Sequence, residues 1–171
     1  MANPLYDTLF GKHLESGAIF LHLPDARSLT YGDFLRMAAQ YAGAFTDMGL
    51  RVGDRVAVQI EKSPQALAVY AACVQAGLVF LPLNTAYTAD EVTYFLENSG
   101  AGIVLSDERM RSALEPIAQS GGARLETLNA DGSGSFADMA LAFPNVFNTV
   151  PRDLDDLAAF LYTSGTTGRS K

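Results

Sequence analysis

The chain alternates short apolar runs with longer segments in which apolar residues return every three or four positions. Residues 18–23 and 28–31 read as two short strands around the Pro24-Asp25 turn, a small antiparallel hairpin. Thr30 can cap a helix with Asp33 at its third position. From there Leu35, Ala38, Ala39, Ala42 and Phe45 form a stripe of helical period that runs up to Gly49. Residues 55–60 predict a strand, and Ser63 as cap, Pro64 as first helical residue and Gly77 as stop bound the helix after it. Residues 78–83 form the next apolar run, and Thr88 with Glu91 spells a capping box for a helix ending near Gly100. Residues 103–106 and 123–128 flank a helical stretch from Asp107 to about Gln119. Residues 131–135 read as a loop, 136–143 as a short helix, 144–152 as irregular, and 157–162 as one more strand.

Continuous apolar strands alternating with helices imply a parallel sheet covered on both faces. The expected fold is therefore α/β: a doubly wound, mostly parallel sheet with helices on both faces and a small amino-terminal β-hairpin. A length of 171 residues with 49% hydrophobic and 18% charged positions suits one soluble globular unit with a substantial core. Twelve Lys and Arg against nineteen Asp and Glu give a net charge of -7, a field that repels polyanions. The three lysines, Lys12, Lys62 and Lys171, stand in no basic run. Nucleic-acid and membrane-surface binding are disfavoured on both counts. The longest apolar stretch, around residues 66–83, is interrupted by Gln75, Gly77 and Pro82, and the first residues lack a signal-peptide pattern, so a cytoplasmic protein is expected. The one cysteine, Cys73, cannot form an internal disulfide and reads as part of a buried helix face.

The chemistry concentrates at the end. After the apolar run, Thr163, Ser164, Gly165, Thr166, Thr167, Gly168, Arg169, Ser170 and Lys171 supply five hydroxyls, two glycines, two cations and no carboxylate. Such a set suits a bound anion, phosphate above all: glycines let backbone N–H groups turn toward oxygens, hydroxyls donate, and cations offset charge. It is not a Walker loop, because Ser170 stands where that pattern needs Gly before Lys. Composition alone fits a solvated linker equally well. Placement after a parallel strand, where open α/β sheets bind ligands, favours the phosphate loop.

The string from Tyr162 to Lys171 resembles the phosphate-binding signature Y-T-S-G-T-T-G-x-P-K of the adenylate-forming superfamily, the acyl-CoA synthetases among them, with Ser170 in place of Pro. The likeness extends to Leu29-Thr30-Tyr31, to residues 49–56 and to residues 76–84, so it covers essentially the whole chain. Residues 4–10 and the Arg169-Ser170-Lys171 variant look most similar to malonyl-CoA and methylmalonyl-CoA synthetases. The resemblance implies an ATP-dependent, AMP-forming acid–CoA ligase that activates a small dicarboxylate, malonate or methylmalonate, as an acyl-adenylate and passes it to CoA. ATP, Mg²⁺ and CoA are the implied cofactor and cosubstrates. Residues 163–171 would cradle the β- and γ-phosphates.

It also implies that residues 1–171 are the amino-terminal part of the large domain of such an enzyme, ending in the phosphate-binding loop. The rest of the large domain and the carboxy-terminal domain, with the adenine, acid and thiol sites, are expected in further chain, and the segment alone is expected to be inactive. No catalytic residue is expected within it, and Lys171 is not the adenylation lysine of the family. The rival readings are an acyl-CoA synthetase for another carboxylic acid and, for the isolated chain, a non-catalytic phosphate-binding module. No metal site is expected: His13 and His22 stand alone, and Asp153, Asp155 and Asp156 read as a solvated turn.

Overall fold

The computed structural model describes residues 3–163. Its first four helices begin where a side chain satisfies one of their free N–H groups. α1 (Pro4–Leu9) is capped by Asn3, whose Oδ1 accepts from the Tyr6 N–H at 3.1 Å. α2 (Tyr31–Asp47) is capped by Thr30, which accepts from the Asp33 N–H at 3.1 Å. α3 (Pro64–Ala76) has Ser63 as cap and ends at Gly77, whose φ of 72° is the left-handed conformation that glycine adopts without penalty. α4 (Ala89–Ser99) carries the full capping box, Thr88 and Glu91 serving each other's backbone N–H. α5 (Arg111–Ser120) follows a single 3-10 turn, and α6 (Ser135–Ala140) is shorter than the periodicity predicts. Beyond Ala140 the chain continues in tighter i→i+3 turns, with Ala142 bonded to Met139 and Phe143 to Ala140. α1 was not expected, since six residues are too few to show a period.

Two strands, β1 (Ile19–His22) and β2 (Ser28–Thr30), form the antiparallel hairpin. Four more, β3 (Arg55–Gln59), β4 (Val79–Pro82), β5 (Ile103–Ser106) and β6 (Arg124–Thr127), form a wholly parallel sheet in the order β4-β3-β5-β6. Alternation along the strands separates two cores. Val56, Val58, Ile103 and Leu105 face α2, α3 and α6 on one side; Ala57, Leu81, Val104 and Leu125 face α4 and α5 on the other. In the first core Phe136 packs against Phe45 and Tyr41, at ring separations of 4.8 and 5.1 Å. The doubly wound α/β fold expected from the sequence is the fold observed.

The path of the chain is not monotonic across the sheet. β3 leads through α3 to β4 on one side; β4 then returns through α4, past β3, to β5 on the other side, and α5 leads on to β6. The carboxyl ends of β3 and β5 are therefore neighbours whose connections depart in opposite directions, the place where such sheets open a crevice.

Burial pushes the Tyr6 and Tyr41 phenols up to about 12. The folded state thus holds these protons more tightly than the unfolded chain, whose tyrosines titrate near pH 10, so the contribution of these two groups to stability is fully present below about pH 10 and is lost as pH rises through about 12. Urea unfolding midpoints at about pH 9 and about pH 11.5 test this: the alkaline midpoint should be clearly lower, and equal midpoints would contradict it.

Candidate functional site

The segment that leads toward residues 163–171, expected from the sequence to bind phosphate, is an irregular strap, residues 144–152, laid over α2 and α3. A strap without secondary structure must satisfy its backbone elsewhere, and here amide side chains do so. Gln40 Nε2 donates to the Phe143 carbonyl at 3.2 Å and Gln75 Nε2 to the Phe147 carbonyl at 3.1 Å. The Val150 N–H donates to the Gln75 carbonyl at 2.8 Å. Asn3 Nδ2 joins α3 and the strap by donating to the carbonyls of Val74 and Val150, at 2.9 and 3.0 Å. Gly77 lies directly beneath: the space a Cβ would fill there is 3.1 Å from Arg152 Cδ and 3.2 Å from Val150 Cγ1.

The strap ends in a tight acidic turn. Asp156 accepts from the Asp153 N–H at 2.7 Å and pairs with Arg152 at 3.2 Å. The aspartates are thus engaged in building a turn, as the sequence reading had it. From there the chain reaches the outer edge of β4. The Phe80 N–H donates to the Ala158 carbonyl at 3.0 Å, and the Phe160 N–H to the Phe80 carbonyl at 2.9 Å, making one parallel bridge between Phe80 and Ala159. The strand expected over residues 157–162 is therefore a single bridge among the described residues. Its apolar pattern has a partner on one side only, and Leu157 and Leu161 remain 67% and 63% exposed.

Thr163, the first residue of the sequence-predicted site, stands exposed three positions beyond Phe160, the last residue in these backbone bonds, with Leu161 and Tyr162 intervening. Ser164, Gly165, Thr166, Thr167, Gly168, Arg169, Ser170 and Lys171 lie outside the described residues. Tyr162 sits on α4, its ring 4.4 Å from that of Phe95 and its hydroxyl donating to Asn98 Oδ1 at 2.7 Å. Burial, with the nearby Tyr94 adding to it, raises the Tyr162 phenol above its ordinary range and keeps it a proton donor at neutral pH.

A second polar group was not singled out from the sequence. At the crevice between the carboxyl ends of β3 and β5, Gln59, Ser106 and Asp107 are buried, and Arg109 lies 3.0 Å from Glu61 and 3.3 Å from Asp107. A cavity of about 260 Å³ opens beside Gln59, Asp107 and Arg109. The two carboxylates raise the Arg109 guanidinium further and occupy it. The strand-order rule points to this crevice, but only once the order is known. His13 stacks on Tyr31 at 4.3 Å and the His22 ring is hydrogen-bonded to Ser28, so each histidine serves the hairpin region. Among the described residues no cluster of three His, Cys, Asp or Glu could hold a metal ion, and no helix is long and apolar enough to cross a membrane.

Residues 12–171 match the family described as AMP-binding enzyme. Among solved structures, the chain is similar to ATP-bound MatB from Rhodopseudomonas palustris, with 44% identity and a TM-score of 0.94 over 100% of this chain and 34% of that one. The unliganded form of the same protein gives 43% identity and a TM-score of 0.93 over 99% of this chain. A feruloyl-CoA synthase from Amycolatopsis sp is 31% identical over 144 residues, 84% of this chain and 27% of its own length. The chain thus spans about a quarter to a third of the length of these relatives.

Gly77→Ala should cost about 1–2 kcal/mol, because alanine is strained at positive φ and its methyl group would crowd Val150 and Arg152. Urea denaturation at neutral pH measures this, and an unchanged unfolding free energy would show that the strap does not press on this corner.

Proposed function

The chain belongs to the AMP-binding enzyme family, and on that premise we propose that it is the amino-terminal part of the large domain of an ATP-dependent acid–CoA ligase acting on malonate or methylmalonate. The observation that carries this reading is the likeness to ATP-bound MatB at 44% identity over the whole chain, and the choice of acid follows the resemblance of residues 4–10 and Arg169-Ser170-Lys171 to malonyl-CoA and methylmalonyl-CoA synthetases. A ligase for another carboxylic acid is the second reading, favoured by the feruloyl-CoA synthase at 31% identity. We place the protein in the cytoplasm, where ATP and CoA are available to it.

In this proposal the acid's carboxylate oxygen attacks the α-phosphorus of ATP, the bond to the bridging oxygen breaks, and pyrophosphate leaves with that electron pair. A thiol then displaces AMP from the acyl-adenylate. Residues 163–171 act in the first step only. Their hydroxyls, turning glycine backbone and two cations suit the β- and γ-phosphates, and they stabilise negative charge as it accumulates on the leaving group. This set fits a triphosphate: it is rich in donors, carries two positive charges and contains no competing carboxylate. Magnesium, when bound with the nucleotide, supplies further neutralisation of the same charge. The adenine, acid and thiol sites are assigned to chain beyond these residues, so the segment alone is proposed to be inactive.

The full-length protein should exchange labelled pyrophosphate into ATP when malonate or methylmalonate is present, and far less with acetate or a long-chain acid. Exchange with a different acid would move the substrate and keep the reaction, while none with any acid, from folded protein, would remove the ligase assignment. Lys171→Ala should lower kcat/KM for ATP by at least about ten-fold, since a cation on developing phosphate charge is worth several kcal/mol, with the thermal midpoint unchanged.

A further inference from the structure

Residues 161–163 have lost the sheet. Among the described residues, the last backbone bonds that tie this segment to β4 involve Ala158 and Phe160, and none is made by Leu161, Tyr162 or Thr163. Among the described residues, what fixes the chain just before Ser164 therefore comes from side chains. Tyr162 supplies it. Its ring lies 4.4 Å from Phe95, 5.1 Å from Phe160 and 6.2 Å from Tyr94, and its hydroxyl donates to Asn98 Oδ1 at 2.7 Å. Tyr94, Phe95 and Asn98 all belong to α4, one turn of which therefore receives the residue next to Thr163.

α4 is suited to this because both of its ends are fixed. Its first turn carries the reciprocal capping box of Thr88 and Glu91. At its other end Arg55, the first residue of β3, donates through Nε to the Ser99 carbonyl and through Nη2 to the Gly100 carbonyl, both at 2.7 Å. Position is thus relayed from a central strand through Arg55 to the end of α4, across to Tyr162, and on to the first loop residue. Asn98 itself is exposed, and it belongs to neither core cluster of the described residues.

We propose that Asn98 is a positioning residue for ATP binding, holding the root of the phosphate loop through the Tyr162 hydroxyl. This inference rests on the loop's role in binding ATP phosphates. A root released from α4 explores more orientations, the fraction able to take the phosphates falls, and the apparent affinity falls by the same factor. A hydrogen bond of ordinary net strength corresponds to about a five-fold change. Chemistry in the bound complex is left alone, so the effect belongs in KM and not in kcat.

The test uses the full-length protein and measures pyrophosphate exchange against ATP concentration, with thermal midpoints alongside. Asn98→Ala and Tyr162→Phe should each raise the KM for ATP about five-fold with kcat within about two-fold, and the double variant should be no worse than either, since both remove one bond. Asn98→Asp, which still offers an oxygen to the phenol, should restore a KM near that of the unaltered protein. A lowered midpoint with unchanged KM, or KM effects that multiply in the double variant, would overturn the proposal. Lys171→Ala, measured in parallel, separates the two layers. If it impairs ATP use while the Asn98 and Tyr162 variants do not, positioning fails and the loop's role stands. If Lys171→Ala has no effect, the loop's role fails and the positioning inference falls with it.

Discussion

Parallel pairing of β3 on both its edges is the constraint on which the remainder of this structure depends. A strand flanked by β4 and β5 has no backbone group left for water, and its residues Val56, Ala57 and Val58 are buried on alternating faces. Each face must then be roofed by helices, and parallel neighbours can be reached only by crossovers that supply them. The two cores, the return past β3 and the crevice beside Gln59 all follow from seating one strand in the middle. The same arrangement leaves β4 as an edge, and that edge is where residues 158–160 dock, among the described residues through the N–H and carbonyl of Phe80.

Much of this was legible because it is written locally. Ser63-Pro64 with Gly77, and Thr88 with Glu91, are start and stop signals whose chemistry acts within one turn, and the structure uses each as read. The composition of residues 163–171 is likewise a local fact. What escaped depends on distance. The amide bonds from Gln40, Gln75 and Asn3 to the strap join residues far apart in sequence, and no periodicity records them. Residues 157–162 have the apolar pattern of a strand, yet a pattern cannot say whether a partner lies on the second side. The crevice residues Gln59, Ser106 and Asp107 look like ordinary strand ends until strand order brings them together.

The family assignment and the physical reading support each other from different directions. Membership rests on likeness along nearly the whole chain, whereas the reading of the tail as a phosphate loop rests on donors, glycines and cations following an apolar run. The departure from the signature at Ser170 changes neither, because proline at that position would restrict one backbone angle without contributing a donor.

Asn3 also sets an order of events in time. Its Nδ2 bonds the carbonyl of Val150, 147 residues further along. On a ribosome adding about 5–20 residues per second, roughly seven to thirty seconds separate the synthesis of this cap from that of the strap residue it bonds. Until then Tyr6, buried in the folded structure beside Thr149 of the strap, has only part of its cover. The corner around Asn3 thus reaches its final surroundings only once residues 144–152 have been made.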